Sequence, residues 1–207
     1  MTPAETMQTQ DRHTDLVATV GGWLFRQRTW LPLPIIVALL VLQGTTPSPA
    51  GIAAGMAIVA AGEALRLWAV RHIGAVSRTR SDRLGPLVMS GPFGLVRNPL
   101  YIGNLLLWIG FTLLAGLPWF VPPVVIVLVA EYHAIVRWEE GHLEERLGES
   151  YRAYKAEVGR WLPRSARSHA ATPGSAFSWR DTLFSERGTI IAIVAGYVLL
   201  WAKFHLK

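Results

Sequence analysis

The sequence predicts an all-α, polytopic membrane protein with about five transmembrane helices and a cytoplasmic amphipathic helical segment. Apolar residues make up 51% of the 207 residues, and they are concentrated in long runs, as is typical of membrane helices. Short turns without charge, at 44–50 and 116–118, join two pairs of runs into hairpins. The net charge of +6 comes mostly from basic residues beside the runs, which favours anionic lipid heads over nucleic acid as the partner.

Five apolar segments can be placed along the chain, and a bilayer crossing takes roughly 20 residues. The first segment is short and contains Pro32 and Pro34, whereas the next three have suitable lengths and composition. The basic flanks predict a cytoplasmic N-terminus in a bacterial inner membrane. The segments run over residues 30–43, 51–70, 100–117, 118–136 and 188–204.

The chain divides into four parts. A mobile N-terminal tail, expected over residues 1–22, contains acidic residues and lacks the apolar core of a cleaved signal peptide. A membrane domain follows over 23–163, then a linker over 164–187 that is rich in Ser, Ala, Pro and Gly, then a C-terminal transmembrane helix over 188–207. There is no cysteine, which excludes disulfides and thiolate chemistry, and no metal site is predicted.

The region after Val136 is predicted to lie on the membrane surface. A polar stripe at helical spacing and a neighbouring apolar and aromatic stripe predict an amphipathic helix that bends or breaks near Gly148. The polar stripe consists of His133, Arg137, Glu140 and Glu144, and the other of Leu143, Leu147, Tyr151, Tyr154 and Val158.

One polar segment, residues 91–103, lies at the start of the third apolar run. Pro99 suits the first turn of a helix because its missing N–H is not needed there. The free N–H groups of that turn can hold an anion such as a carboxylate. Arg97 adds a positive charge, Asn98 adds a donor and an acceptor, and Tyr101 adds a ring face and a hydroxyl.

A second polar segment begins with Glu139 and Glu140, whose carboxylates accept hydrogen bonds from amines and ribose hydroxyls. Together the two segments suit a ligand with a carboxylate, an ammonium, a ribose and a flat ring. The alternative for the first segment is a basic membrane flank with a helix start. The alternative for the second is a solvated helix face with local ion pairs.

Glu63 and Arg66 lie inside the second apolar run, three residues apart on one helical face. Ionisable groups at membrane depth are costly and often functional. They are candidates for lining a substrate tunnel, and the alternatives are a structural ion pair or an arginine that reaches to the membrane surface. Gly51, Gly55 and Gly62 in the same run favour close helix packing.

The ordered set of polar motifs resembles the integral-membrane methyltransferases of the isoprenylcysteine carboxyl methyltransferase and phospholipid methyltransferase superfamily. The resemblance covers roughly residues 65–163. Its motifs are Leu87-Val88-x-Ser90-Gly91-Pro92-Phe93, Arg97-Asn98-Pro99-Leu100-Tyr101-Ile102-Gly103, Glu139-Glu140-x-x-Leu143-x-x-x-Leu147-Gly148-x-x-Tyr151-x-x-Tyr154 and Val158-Gly159-Arg160-Trp161-Leu162-Pro163.

The resemblance implies bound S-adenosylmethionine and methyl transfer to a small lipophilic or lipid substrate at the cytoplasmic membrane face. Two departures from the family pattern bear on the substrate. Many members have histidine at the position of Asn98, and some have an arginine for a substrate carboxylate at the position of Ile135. The matching cofactor positions are Leu87, Val88, Phe93, Asn98, Pro99, Leu100, Tyr101 and Glu139, to which the charge of Arg97 is added.

Methyl transfer to an ammonium or hydroxyl would require a base. The candidates are Glu140, His133 and Glu131, and Arg137 is the arginine nearest to the position of Ile135. Two other functions stay open: a non-catalytic membrane scaffold or transport partner on the same fold, and a membrane reductase.

Overall fold

The computed structural model describes residues 16–74, 87–164 and 177–206. These residues form helices and contain no strand beyond one isolated bridge, which confirms the all-α membrane fold. The helices are α1 (Leu16–Gln27), α2 (Leu33–Val41), α3 (Pro49–Ile73), α4 (Pro99–Leu114), α5 (Val121–Leu147), α6 (Glu149–Glu157) and α7 (Trp179–His205), with 3₁₀ turns at Gly91–Gly94 and Pro118–Phe120.

Three helical stretches in the described part of the chain are long and apolar enough to cross a membrane: Pro49–Ile73, Pro118–Leu147 and Trp179–His205. Helix α4 is apolar but shorter, with 16 residues. The first of the five predicted segments contains only the nine-residue helix α2. The chain turns before α2, and Pro32 and Pro34 account for this because proline cannot donate the backbone hydrogen bond of a continuing helix.

Two helices begin earlier than the sequence predicted. Helix α1 begins at Leu16, so residues 16–22, which the sequence assigned to the tail, are helical. Helix α7 begins at Trp179, where the Ser178 side chain accepts a hydrogen bond from the Asp181 amide as an N-cap. Residues 179–187 of the predicted linker are therefore helical, whereas the predicted tail over 1–15 and linker over 165–176 lie outside the described residues.

Glycines bring α3 and α4 into close contact, as the sequence predicted for Gly55 and Gly62. For Gly51 the prediction was wrong, because a Cβ there would meet only Ser48 and Pro47. A Cβ at Gly62 would lie 2.8 Å from the Gly103 carbonyl oxygen, and a Cβ at Gly110 would lie 2.8 Å from that of Gly55. Both distances are too short for any side chain, so glycine is required for this approach. The contact holds the start of α4 against the second half of α3.

Helix α5 continues beyond its apolar part and ends at Gly148, where the chain turns into α6. Gly148 has a φ of +56°, a conformation that glycine adopts readily and other residues do not. The break lies where the sequence predicted it. After α6 the chain returns to the start of α4, where Val96 and Gly159 form a parallel bridge.

Helix α7 is attached to the bundle near both of its ends. At one end the Phe177 amide donates to the Arg71 carbonyl, 2.9 Å away. At the other end the buried Lys203 ammonium donates to the carbonyl oxygens of Leu39 and Ala115, at 2.7 and 3.1 Å. The first end is the one where α4 begins, and we call it the site end.

A candidate active site where α4 begins and α5 ends

The two polar segments meet at the site end of the bundle, and Arg97 joins them. Its Nε and Nη2 atoms donate to Oε1 of Glu140 on α5, at 3.0 and 2.9 Å. Its Nη1 atom donates to the carbonyl oxygens of Lys155 and Val158, at 3.1 and 2.5 Å. The backbone amide of Arg97 donates to the carbonyl oxygen of Gly159 at 2.8 Å. Arg97 therefore connects the start of α4, the end of α5 and the end of α6.

Arg160 completes this group, which we call the Arg97 cluster: Arg97, Glu140 and Arg160. Arg160 donates to both carboxylate oxygens of Glu140, at 3.1 Å from Nε and 2.6 Å from Nη2. The side chains of Arg97 and Glu140 are only 7% and 6% exposed, whereas that of Arg160 is 28% exposed. Two guanidinium groups around one carboxylate leave the cluster with one net positive charge.

These contacts assign roles that differ from those expected of the single residues. The Arg97 guanidinium, predicted to add a positive charge to the cofactor site, is bonded to protein groups on three sides. The Glu140 carboxylate, predicted to be a base, is bonded to two arginines. Both residues organise the site, and Arg160 carries the more accessible positive charge.

Tyr101 and Glu139 make the second link between the two segments. The Tyr101 hydroxyl donates to Oε2 of Glu139 at 3.0 Å. The Tyr101 ring packs on Tyr132 of α5 with 5.0 Å between ring centroids. Glu139 is partly exposed as a residue, and the bond from Tyr101 holds its carboxylate beside the first turn of α4.

The first turn of α4 lies between these two links. Asn98 is the N-cap residue, but its side chain makes no capping hydrogen bond. Its Nδ2 atom instead points to the Arg160 carbonyl oxygen, 3.4 Å away. Pro99 is buried and Leu100 is partly exposed. A helix N-terminus that no side chain caps, beside a cluster with net positive charge, favours an anionic group.

The segment before α4 is held against α6. Leu87 and Met89 pack on the buried residues Tyr151, Tyr154 and Val158. Val88 is partly exposed, and Phe93 is buried.

Hydrogen bonds hold the same segment on two sides. The Tyr154 hydroxyl donates to the Phe93 carbonyl at 2.7 Å. Burial raises the pKa of Tyr154 above that of an ordinary phenol, so this hydroxyl stays a proton donor. On the other side, the His72 ring at the end of α3 lies 2.9 Å from the Ser90 hydroxyl.

The remaining predicted residues of α5 lie further from this network. His133 is partly exposed, two helical turns before Glu140, and has no hydrogen bond to the segment before α4 among the described residues. Arg137 is exposed on the same helix. Ile135 is 1% exposed and packs with Val124, Leu128 and Tyr132 in the apolar core, so this position contributes packing and not charge.

Glu63 and Arg66 belong to a separate buried group, which we call the Arg66 cluster: Glu63, Arg66 and Glu186. Arg66 is 9% exposed, so its side chain is covered by protein. Its Nη2 atom lies 2.8 Å from Oε2 of Glu186 on α7, and its Nε atom lies 3.6 Å from the Glu63 carboxylate. Arg66 also donates to Asn104 of α4 and to Thr189 of α7. The geometry favours the structural ion pair among the sequence interpretations.

Sequence reasoning did not identify two charged partners in these clusters. Arg160 belongs to a recognised motif, but nothing in the linear pattern connects it to Glu140, twenty residues earlier. Glu186 lies 120 residues from Arg66 in a stretch interpreted as linker. The available signal was an acidic residue beside an apolar run, which is common at membrane surfaces and therefore not diagnostic.

The comparison with protein families supports a membrane methyltransferase in general. The family model described as phospholipid methyltransferase matches residues 50–150, which contain nearly all of α3, all of α4 and α5, the first polar segment and most of the second. The chain belongs to this family, and the resemblance found in the sequence is confirmed.

One curated relative adds a local similarity. A Haemophilus influenzae protein described as uncharacterized is 38% identical over 63 residues, which are 30% of this chain and 79% of that protein. No solved structure matches the chain.

Proposed function

We propose that the protein transfers a methyl group from S-adenosylmethionine to a small lipophilic or lipid substrate. We place the site at the cytoplasmic face of a bacterial inner membrane, with the N-terminus cytoplasmic. The observation that carries the proposal is the meeting of residues 97–101 with Glu139 and Glu140 beside apolar helices. Family membership over residues 50–150 supports the reaction class.

The residues present fit the cofactor. Its carboxylate suits the uncapped first turn of α4 and the positive charge of Arg160. Its ammonium and ribose hydroxyls suit the carboxylate of Glu139, which lies beside the first turn of α4. Its adenine suits an apolar wall, for which Leu87, Val88, Phe93 and Leu100 are our candidates. Arg97 and Glu140 hold the two walls of the site together.

When bound, S-adenosylmethionine supplies a methyl group on a positively charged sulfur, which is intrinsically reactive. The protein then has to align donor and acceptor and to exclude water, and such positioning contributes on the order of 7–11 kcal/mol. The network of Arg97, Tyr101 and Tyr154 provides this rigidity by joining three segments. We keep His133 and Arg137 as candidate substrate-side residues, since both lie on α5 and are at least partly exposed.

The proposal predicts that the detergent-solubilised protein binds S-adenosylmethionine and that Glu139→Gln weakens binding by about ten- to a hundredfold, because hydrogen bonds to a charged group contribute roughly 1.5–3 kcal/mol. Isothermal titration calorimetry measures both affinities. Glu145→Gln is the matched control, because Glu145 is exposed on the same helix outside these contacts. Folded protein that fails to bind the cofactor at millimolar concentration would refute the cofactor assignment.

The substrate is identified by a second experiment. Lipids from cells with and without the protein are compared by mass spectrometry, and one species should differ by the mass of a methyl group. Cofactor binding without any such shift would favour a non-catalytic scaffold or transport partner. Binding of a nicotinamide dinucleotide in place of S-adenosylmethionine would favour a membrane reductase.

A further inference from the structure

Helix α1 packs against α5 next to the candidate active site, although α1 lies outside the family match over 50–150. Two glycines allow the two helices to approach closely. A Cβ at Gly21 would lie 1.9 Å from the Ala134 carbonyl oxygen, and a Cβ at Gly22 would lie 2.7 Å from Nε1 of Trp138. The surface of α1 is therefore matched to the part of α5 that leads into the second polar segment.

Stacked side chains continue this contact to the end of α1. The Phe25 ring lies 4.8 Å from the Trp138 ring, measured between centroids, and it also packs on the buried core that includes Tyr132 and Ile135. The Arg28 guanidinium lies 4.1 Å from the centroid of the Phe25 ring, as in a cation–π contact. Arg28 is only partly exposed, and the Phe25 ring limits where its charge can lie.

Glu139 lies at the edge of the α5 face that α1 covers, because it follows Ile135 by one helical turn. The groups that act electrostatically on its carboxylate come from three parts of the described chain: Tyr101 of α4, Glu140 of α5 and Arg28. Arg28 also acts on the Tyr101 hydroxyl, so its charge reaches both members of that link. Glu140 is already bonded to two arginines, and Arg28 supplies positive charge to Glu139.

We propose that α1 forms a third wall of the cofactor site and that Arg28 is a positioning residue that acts through Glu139. The Arg28 guanidinium and the Tyr101 hydroxyl together stabilise the Glu139 side chain as a carboxylate, since a nearby opposite charge favours the ionised form. The carboxylate is the form that bonds to an ammonium and to ribose hydroxyls. This inference rests on the proposed function, because it concerns the residue that would bind S-adenosylmethionine.

A second arginine on α1 has different surroundings and provides a comparison. Arg26 is exposed, so it suits a contact with lipid head groups at the membrane surface. Arg28 is less exposed, and it stacks on a ring that itself packs against α5. The two residues carry the same charge two positions apart. A role in cofactor binding should therefore depend on Arg28 and not on Arg26.

Isothermal titration calorimetry of the detergent-solubilised full chain with S-adenosylmethionine tests the proposal. Arg28→Gln should weaken the affinity about fivefold, near the upper limit for an ionic contact between partly exposed groups. Arg28→Lys should keep most of the affinity because it keeps the charge. Arg26→Gln is the matched control and should bind as the wild type does. In a Glu139→Gln background, Arg28→Gln should cause no further loss, because the carboxylate through which it acts is absent.

The midpoint of thermal unfolding, measured for each variant, shows whether a loss of affinity comes from a loss of fold. Cofactor binding by Arg28→Gln at the level of Arg26→Gln, or more tightly than by the wild type, would overturn the proposal. A fivefold loss that persists in the Glu139→Gln background would also overturn it, as would an equal loss in Arg28→Lys. Folded wild-type protein that does not bind the cofactor would refute the proposed function, and this inference with it.

Discussion

The Arg97 cluster and the Arg66 cluster contain the same kinds of group in opposite proportions. The Arg97 cluster has two guanidinium groups and one carboxylate. The Arg66 cluster has one guanidinium group and two carboxylates. With all groups ionised, the first has one net positive charge and the second has one net negative charge. Each obtains its third member from a segment that is distant in the sequence.

The two clusters differ in their access to solvent, and this difference separates their roles. Arg160 is 28% exposed, so the Arg97 cluster has an accessible positive charge that a ligand can meet. In the Arg66 cluster the side chain of Glu186 is only 1% exposed, and Arg66 is covered by α4 and α7. We therefore expect variants of the Arg97 cluster to change ligand binding, and variants of the Arg66 cluster to change stability.

The largest expected effect is that of Arg66→Met. Removing the guanidinium leaves the carboxylates of Glu63 and Glu186 in an apolar surrounding, and breaking a buried ion pair in this way costs about 3–5 kcal/mol. The midpoint of thermal unfolding in detergent should fall strongly. The double variant Arg66→Met with Glu186→Met should recover part of the loss, because it removes one of the two charges. A single variant as stable as the wild type would contradict a structural role for this cluster.

A smaller effect is expected for Arg97→Lys, which keeps the charge and removes the planar set of donors. Lysine cannot bond to Glu140, Lys155 and Val158 in the same geometry. The free energy of unfolding should therefore fall by about 1.5–3 kcal/mol. The affinity for S-adenosylmethionine, measured by calorimetry, and the midpoint of thermal unfolding should both fall. Arg160→Lys is the comparison, because its side chain is more exposed and should affect ligand binding more than stability. Equal losses of stability in Arg97→Lys and Arg160→Lys would contradict the assignment of a structural role to Arg97 and a ligand-binding role to Arg160.

The smallest effect is expected for Arg152→Ala. Arg152 pairs with Glu144 and Glu149 on α5 and α6 and is 60% exposed. Exposed ion pairs contribute about 0–1 kcal/mol because water and salt screen them. At low salt the midpoint of thermal unfolding of the variant should lie slightly below that of the wild type. At high salt the two midpoints should coincide. A loss comparable with that of Arg66→Met would show that burial does not separate the clusters as we infer.

Local patterns were sufficient for much of the architecture. The apolar runs predicted the long spans, and the glycines at 55 and 62 predicted close packing, because both depend on side-chain size and polarity alone. The break at Gly148 was also predictable locally, since glycine has a low helix propensity and readily adopts the positive φ found there. The first span was less predictable, because prolines set where its helix begins. The start of α7 was also less predictable, because it depends on the N-cap residue Ser178.

The sequence by itself determined that this protein is helical, lies in a membrane and carries two polar segments of a methyltransferase family. Only the tertiary structure decided which charges meet. Arg97 with Glu140, and Arg66 with Glu186, are separated by 43 and 120 residues, and hydrophobic periodicity contains no information about such pairs. Burial then decided their roles, because the strength of an ionic contact depends on the solvent around it.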